Sequence, residues 1–252
     1  MKAVLFFLIS SLFFYPSISA QDVNMLLKEA QRIEDLPDEA GALSKFKEVL
    51  KIQPINVYAL SKCSELCSRI GQRQTNTKIR DEYYNSAKIY AETGLKIKPG
   101  DSDANCSMAI VLGRTSMTKS GKEKIIAARE IKKYVDASLK SNPNNFKAWH
   151  VLGRWNYEIS NLNMIERAAV KMFYGGLPSA SIEDAISSFE KAQTLSDGGF
   201  ILNYLELAKA YHRNDEDKKA IDLLKSMQSL PIHTQDDAAI KEQAKALINK
   251  WE

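Results

Sequence analysis

The chain has 252 residues, and 35 Lys and Arg against 31 Asp and Glu leave a formal charge of +4. That near balance excludes the electrostatic footprint of a nucleic-acid-binding protein, which needs a strong, clustered basic excess. Three cysteines, Cys63, Cys67 and Cys106, allow at most one bridge and exclude a disulfide-framework domain.

Lys2 precedes an apolar run from Ala3 to Ile9, continued by Leu12, Phe13, Phe14 and Tyr15 and broken at Pro16. Small residues follow at Ser17, Ser19 and Ala20, so residues 1–20 read as a signal peptide cleaved after Ala20. The run is short of the ~20 apolar residues that span a bilayer. The expectation is an exported protein, periplasmic or secreted, with no membrane span after signal removal. Residues 21–252 then form one domain.

Val23, Leu26, Leu27, Ala30 and Ile33 share one helical face and predict the first helix. From there one spacing recurs five times: a small or apolar residue, a second four later, a third three after that, then Pro. Its instances are Ala42, Phe46, Val49, Pro54; Ala87, Ala91, Gly94, Pro99; and Ile131, Val135, Ser138, Pro143. Two more are Ala185, Phe189, Ala192, with Asp197 in place of Pro, and Ala220, Leu224, Met227, with Pro231 one residue early. Each predicts the second helix of a helix pair.

First-helix patterns precede them, most clearly Trp149-x2-Leu152-Gly153-x3-Tyr157 and Tyr204-x2-Leu207-Ala208-x2-Tyr211. These resemble the tetratricopeptide pattern Trp-x2-Leu-Gly-x2-Tyr. Small residues let paired helices approach, and the aromatics, Trp149 among them, fill the gaps as core. The predicted fold is all-α: a tetratricopeptide-like solenoid of antiparallel helix pairs.

The interval Leu207 to Ala220 is that of a compact repeat. Cys63 to Ala87, Leu112 to Ile131 and Leu152 to Ala185 exceed it by about 11, 6 and 20 residues, which predicts longer helices or inserted turns. The largest insertion carries Met164, Ile165, Ala168, Ala169, Met172 and Phe173 on one helical face and stops at Gly175-Gly176-Leu177-Pro178. Ser181 with Asp184, and Thr234 with Asp237, read as helix openings. Ile240, Ala244, Leu247, Ile248 and Trp251 form the stripe of a C-terminal helix that caps the open end of the stack.

Catalytic patterns fail. Gly121-Lys122-Glu123 lacks the phosphate-loop spacing, and there is no Gly-x-Ser-x-Gly or His-Glu-x-x-His. Cys63 and Cys67 lie four apart on one helix, too far for an unstrained bridge, and read with Cys106 as buried apolar residues. No metal or cofactor is expected, nor an enzymatic activity. The basic run Lys119, Lys122, Lys124, Arg129, Lys132 and Lys133 reads as a solvated helix face.

From about residue 22 to the end the chain resembles the regulator of microtubule dynamics family. The likeness is carried by Ser141-Asn142-Pro143, His150-Val151-Leu152-Gly153-Arg154-Trp155-Asn156-Tyr157, and Met172-Phe173 through Leu177-Pro178-Ser179-Ala180-Ser181. To these is added Leu230-Pro231-Ile232-His233-Thr234-Gln235-Asp236-Asp237, a run that ordinary repeats lack. The resemblance implies a non-enzymatic adaptor fold, associated in animals with microtubules and with tethering at organelle membranes.

The expected function is a scaffold that holds a partner protein or peptide on its concave face. The candidate groove residues are Tyr58, Arg114, Lys147, His150, Arg154, Tyr157, Lys209 and His212. Four are cations, Arg114, Lys147, Arg154 and Lys209, suited to a peptide carboxylate or acidic segment unless acidic neighbours in the fold already pair with them. The alternative is a carrier or chaperone for an apolar, lipid-like ligand in a groove lined by the inserted helix 163–174.

Overall fold

The computed structural model describes residues 20–252, with side chains from Val23 onward, and those residues form twelve α-helices and no strand. The leader read in residues 1–20 lies, apart from Ala20, outside the described residues. Five antiparallel pairs follow in order: α1 (Ala20–Glu34) with α2 (Glu39–Ile52), α3 (Val57–Gln72) with α4 (Thr77–Ile97), and α5 (Ser102–Ser116) with α6 (Gly121–Ser141). Then α7 (Phe146–Ser160) pairs with α9 (Ile182–Leu195) across an inserted α8 (Met164–Tyr174), and α10 (Ile201–Arg213) pairs with α11 (Asp217–Ser226). The capping helix α12 (Asp237–Trp251) packs on α10 and α11.

The helix starts are written in short polar residues. Asp38, Asn56, Asn76, Asp101, Asn145, Asn163 and Ser181 each accept a bond from a backbone N–H of the first turn, satisfying donors the helix itself cannot. Pro54, Pro99 and Pro143 stand just beyond α2, α4 and α6 and stop them.

The five-fold repeat is the core. All fifteen of its small or apolar members, from Ala42 to Met227, are buried. Phe46 and Phe189 are wholly enclosed, and truncating either to Ala would cost about 3–5 kcal/mol. Gly153 shows why a small residue is needed: a Cβ there would sit 2.6 Å from the Phe189 ring, so α7 and α9 touch only without it.

In α7 the core tryptophan is Trp155, 4% exposed, whose Nε1 donates to the Ala128 carbonyl at 2.8 Å. Trp149, expected in that role, is half-exposed and donates to the Pro143 carbonyl. The reason is register: Gly153 faces Phe189, and Trp155 lies two residues further round the helix, toward α6. The two smaller insertions lengthen α4 and α6 to 21 residues each, while the largest makes the separate α8. Ser181 caps α9 as expected, whereas at α12 the polarity is reversed. The buried Asp237 carboxylate accepts from the His233 and Thr234 backbone N–H groups and from the Thr234 hydroxyl.

Two contacts close the array on itself. In the turn before α12, Gln235 donates to the Pro37 carbonyl between α1 and α2 at 3.0 Å, and Asp236 accepts from Arg73 at the end of α3 at 3.1 Å. Cys63, Cys67 and Cys106 are free and buried in α3 and α5.

Candidate functional site

The first helices of the pairs, α1, α3, α5, α7 and α10, stand side by side. Neighbouring helix axes pack about 8–10 Å apart, so side chains two helices away meet only on the inside of a curve. Lys147 of α7 reaches Glu65 of α3 over α5, which identifies this side as the concave one.

Charges on it alternate. Glu34 accepts from Lys62 and Arg69, Glu39 accepts from Arg73 and pairs with the Arg69 charge at 3.4 Å, and Arg73 goes on to Asp236. Beyond α5, Glu206 of α10 is held by Arg154 of α7 and Lys209. Burial by itself would raise the Glu206 carboxyl, but Arg154 and Lys209 outweigh it and keep it below its ordinary value. Burial likewise acts upward on Glu65, and Lys147 and Lys62 overcome it. Buried carboxylates so held are parts of the fold, since removing one partner leaves a buried charge alone at a cost of about 3–5 kcal/mol.

Three of the four candidate cations, Lys147, Arg154 and Lys209, are therefore already matched by Glu65 and Glu206. Arg114 is different. Half-buried near the C-terminal end of α5, it makes no ion pair or side-chain hydrogen bond with any described residue. Burial shifts its guanidinium downward, with Tyr84 and Asp236 opposing and Arg154 and Arg69 adding to the shift. A guanidinium keeps its proton at any ordinary pH, so this is a standing positive charge, partly stripped of water and unmatched.

The other candidates divide by position. His150 is buried: its Nδ1 lies 2.9 Å from Asn203 Oδ1, and its ring lies between Phe189 and Phe200. Tyr157, Lys209 and His212 come together around a cleft of about 380 Å³ with Arg213 and Trp251. There the Arg213 guanidinium covers the Tyr157 ring at 4.0 Å, and His212 stacks on Trp251 at 4.1 Å. Tyr58 stands far from these near the other end, its hydroxyl accepting from Gln31. Residues that sequence reasoning missed are Glu65, Glu206, Arg69, Arg73 and Asp236. Apart from the i,i+3 pair of Glu206 with Lys209, their side-chain hydrogen-bond partners lie 34 to 163 positions away, where no local pattern marks them.

Among the described residues the inserted helix 163–174 lines no enclosed groove. None of its residues is buried, and Met164, Ile165, Met172 and Phe173 are 71–86% exposed.

Stacked antiparallel helix pairs with a capping helix and a charged concave face define a tetratricopeptide-type repeat protein. A thermophilic tetratricopeptide protein of Thermus thermophilus superposes with a TM-score of 0.65 at 13% identity, over 90% of this chain and 99% of that one. The chain belongs to the regulator of microtubule dynamics family, whose model, described as regulator of microtubule dynamics protein 1-3, matches residues 26–252. It is 24% identical to regulator of microtubule dynamics protein 3 of Mus musculus over 92% of this chain and 50% of that one. It is 28% identical to regulator of microtubule dynamics protein 1 of Caenorhabditis elegans over 75% of this chain and 80% of that one. The match spans about half the length of the mouse protein 3 and of the rat protein 2.

Proposed function

We propose that the protein is a non-enzymatic scaffold that captures an acidic segment or terminal carboxylate of a partner protein on its concave face. The observation that carries this reading is Arg114, the one candidate cation without a carboxylate among the described residues. A carboxylate from outside would meet two parallel N–H donors there and would replace the hydration that burial removes. Arg69 and Arg154 add positive potential, and Asp236 limits it on one side. The relatives are named for regulating microtubule dynamics, and what is carried to this chain is the binding character of the fold. Export by the leader in residues 1–20 belongs to the same proposal. Protein isolated from its source beginning at Gln21 supports it, and protein retaining residues 1–20 counts against it.

Affinity capture from the source organism with wild type and Arg114→Gln tests the site. The expected result is a partner retained by wild type and lost by the variant, with thermal unfolding unchanged or shifted upward because an uncompensated charge is gone. An identical set captured by both proteins refutes the assignment.

A further inference from the structure

Helix α8 is attached to the solenoid by hydrogen bonds at its two ends and not by its apolar face. Arg129 of α6 donates to the carbonyls of Tyr174 and Gly176 at its C-terminal end, and Arg167 donates to the Ile159, Ser160 and Leu162 carbonyls at the end of α7. Asn163 and Glu166 form a complete capping box at its start, and Gly175, with φ 74°, closes it. The helix is thus firmly made and firmly placed. Yet Met164 is 86%, Ile165 81%, Met172 77% and Phe173 71% exposed. At 100° per residue they and Ala168 cover roughly half of the helix circumference as one arc. Single exposed apolar residues are ordinary; four large ones on one helical arc mark a contact surface.

The surroundings of the arc decide what contacts it. Lys171 borders it on one flank of α8 and Glu166, tied into the capping box, on the other, while Lys119 just before α6 and Lys122 and Lys124 in its first turn lie on the same edge of the solenoid. None of these four lysines forms an ion pair with a described residue, although Glu123 stands among them. Ile126, 48% exposed, lies one turn before Arg129 and so faces the same side as α8. A second copy of the chain docked by the same face would set these lysines against their own like charges. An apolar ridge with four unpaired lysines against the single Glu166 on its flank is instead matched by a bilayer whose headgroups are anionic and whose acyl boundary lies just beneath. With 11 residues α8 is about 16 Å long, too short to cross a bilayer but long enough to lie in its surface.

We propose that α8 and the lysine-bearing start of α6 form a peripheral membrane-docking edge for anionic phospholipid, separate from the concave face. The test is co-flotation of the full chain with vesicles of phosphatidylcholine alone and of phosphatidylcholine with about 30% phosphatidylglycerol. Binding is expected to the anionic vesicles and to fall steeply with salt. Met172→Glu with Phe173→Glu should lower it at least tenfold without altering the far-ultraviolet spectrum or melting, because neither side chain is buried. Lys122→Glu with Lys124→Glu should also lower it about tenfold or more, since each basic residue at an anionic surface multiplies binding about fivefold. The proposal is overturned if wild type floats with neither vesicle, or if either double variant binds as wild type does. It is equally overturned if the protein self-associates and Met172→Glu with Phe173→Glu abolishes that instead, which would assign the face to a second copy. Capture experiments with Arg114→Gln are independent of all these outcomes.

Discussion

Acidification should destabilise the fold through His150, and the magnitude follows from its surroundings. Asn203 gives its Nδ2 to the Phe189 carbonyl at 2.8 Å and so presents its oxygen to the imidazole. His150 Nδ1, 2.9 Å from that oxygen, must then carry the proton, leaving the Nε2 lone pair as the site for a second one. Placing a charge there means charging a ring enclosed by Phe189 and Phe200, whose centroids lie 5.5 and 4.8 Å away. Burial accordingly pushes the group down from 6.5 to about 4, against the opposing pull of Asn203 and Glu206 and with help from Arg154 and Arg114. In the unfolded chain it takes up its proton near its ordinary value. Above that value nothing is lost; as pH falls from about 6.5 toward 4 the unfolded state binds a proton that the folded state refuses. The loss reaches about 3 kcal/mol at pH 4. Urea unfolding at pH 7 and pH 4, for wild type and His150→Gln, measures it, because carboxylate effects common to both proteins cancel. Wild type should lose about 3 kcal/mol more than the variant over that interval. Parallel pH dependences, or a His150 imidazole titrating near 6.5 in the folded protein by NMR, would refute the reasoning.

Other outcomes follow from the same structure. Gly153→Ala should destabilise by about 1–3 kcal/mol, because its methyl would overlap the wholly buried Phe189 ring; an unshifted denaturation midpoint would contradict the α7–α9 contact. Arg154→Ala with Lys209→Ala should lower stability by about 3–5 kcal/mol, since Glu206 is left charged and buried, and unchanged melting would show that Glu206 finds other compensation. Burial pushes the thiols of Cys63 and Cys67 up to about 12 and about 11 and that of Cys106 higher still, so all three should resist a thiol-labelling reagent until the protein unfolds. Rapid labelling of the native protein, followed by mass spectrometry, would count against this.

The second helices were legible because their requirement is local: a small or apolar residue on one stripe, then a proline, five times over, and every stripe position is buried. The capping helix and the inserted helix were legible for the same reason, periodicity along a single element. What failed was orientation between elements. Trp149 and Trp155 are equally good core residues by type, and only the approach of α9 to Gly153 decides between them. Thr234 looked like a cap by its neighbours, but Asp237 is the residue that turns inward. At the candidate site, the cations were found by helical phase, while the carboxylates that match Arg154 and Lys147 come from helices 52 and 82 residues distant, and only Lys209 meets its partner, Glu206, on its own helix. Arg114 could be distinguished from its neighbours only after those pairs were placed.

The tie from Gln235 to Pro37 and from Asp236 to Arg73 has a consequence for how the array is made and how it can change. An open solenoid interacts only with its neighbours, so it can nucleate anywhere, fray from either end, and gain or lose a unit without disturbing the rest. Here the first and last units hold each other. During synthesis the N-terminal pairs can form early, but Glu39 and Arg73 wait for nearly the whole chain before Asp236 arrives to complete their pairing. Insertion or deletion of a repeat would carry that acidic turn out of reach. Variation in length is thereby confined to places such as the α7–α9 connection, which hang outside the loop and leave its circumference unchanged.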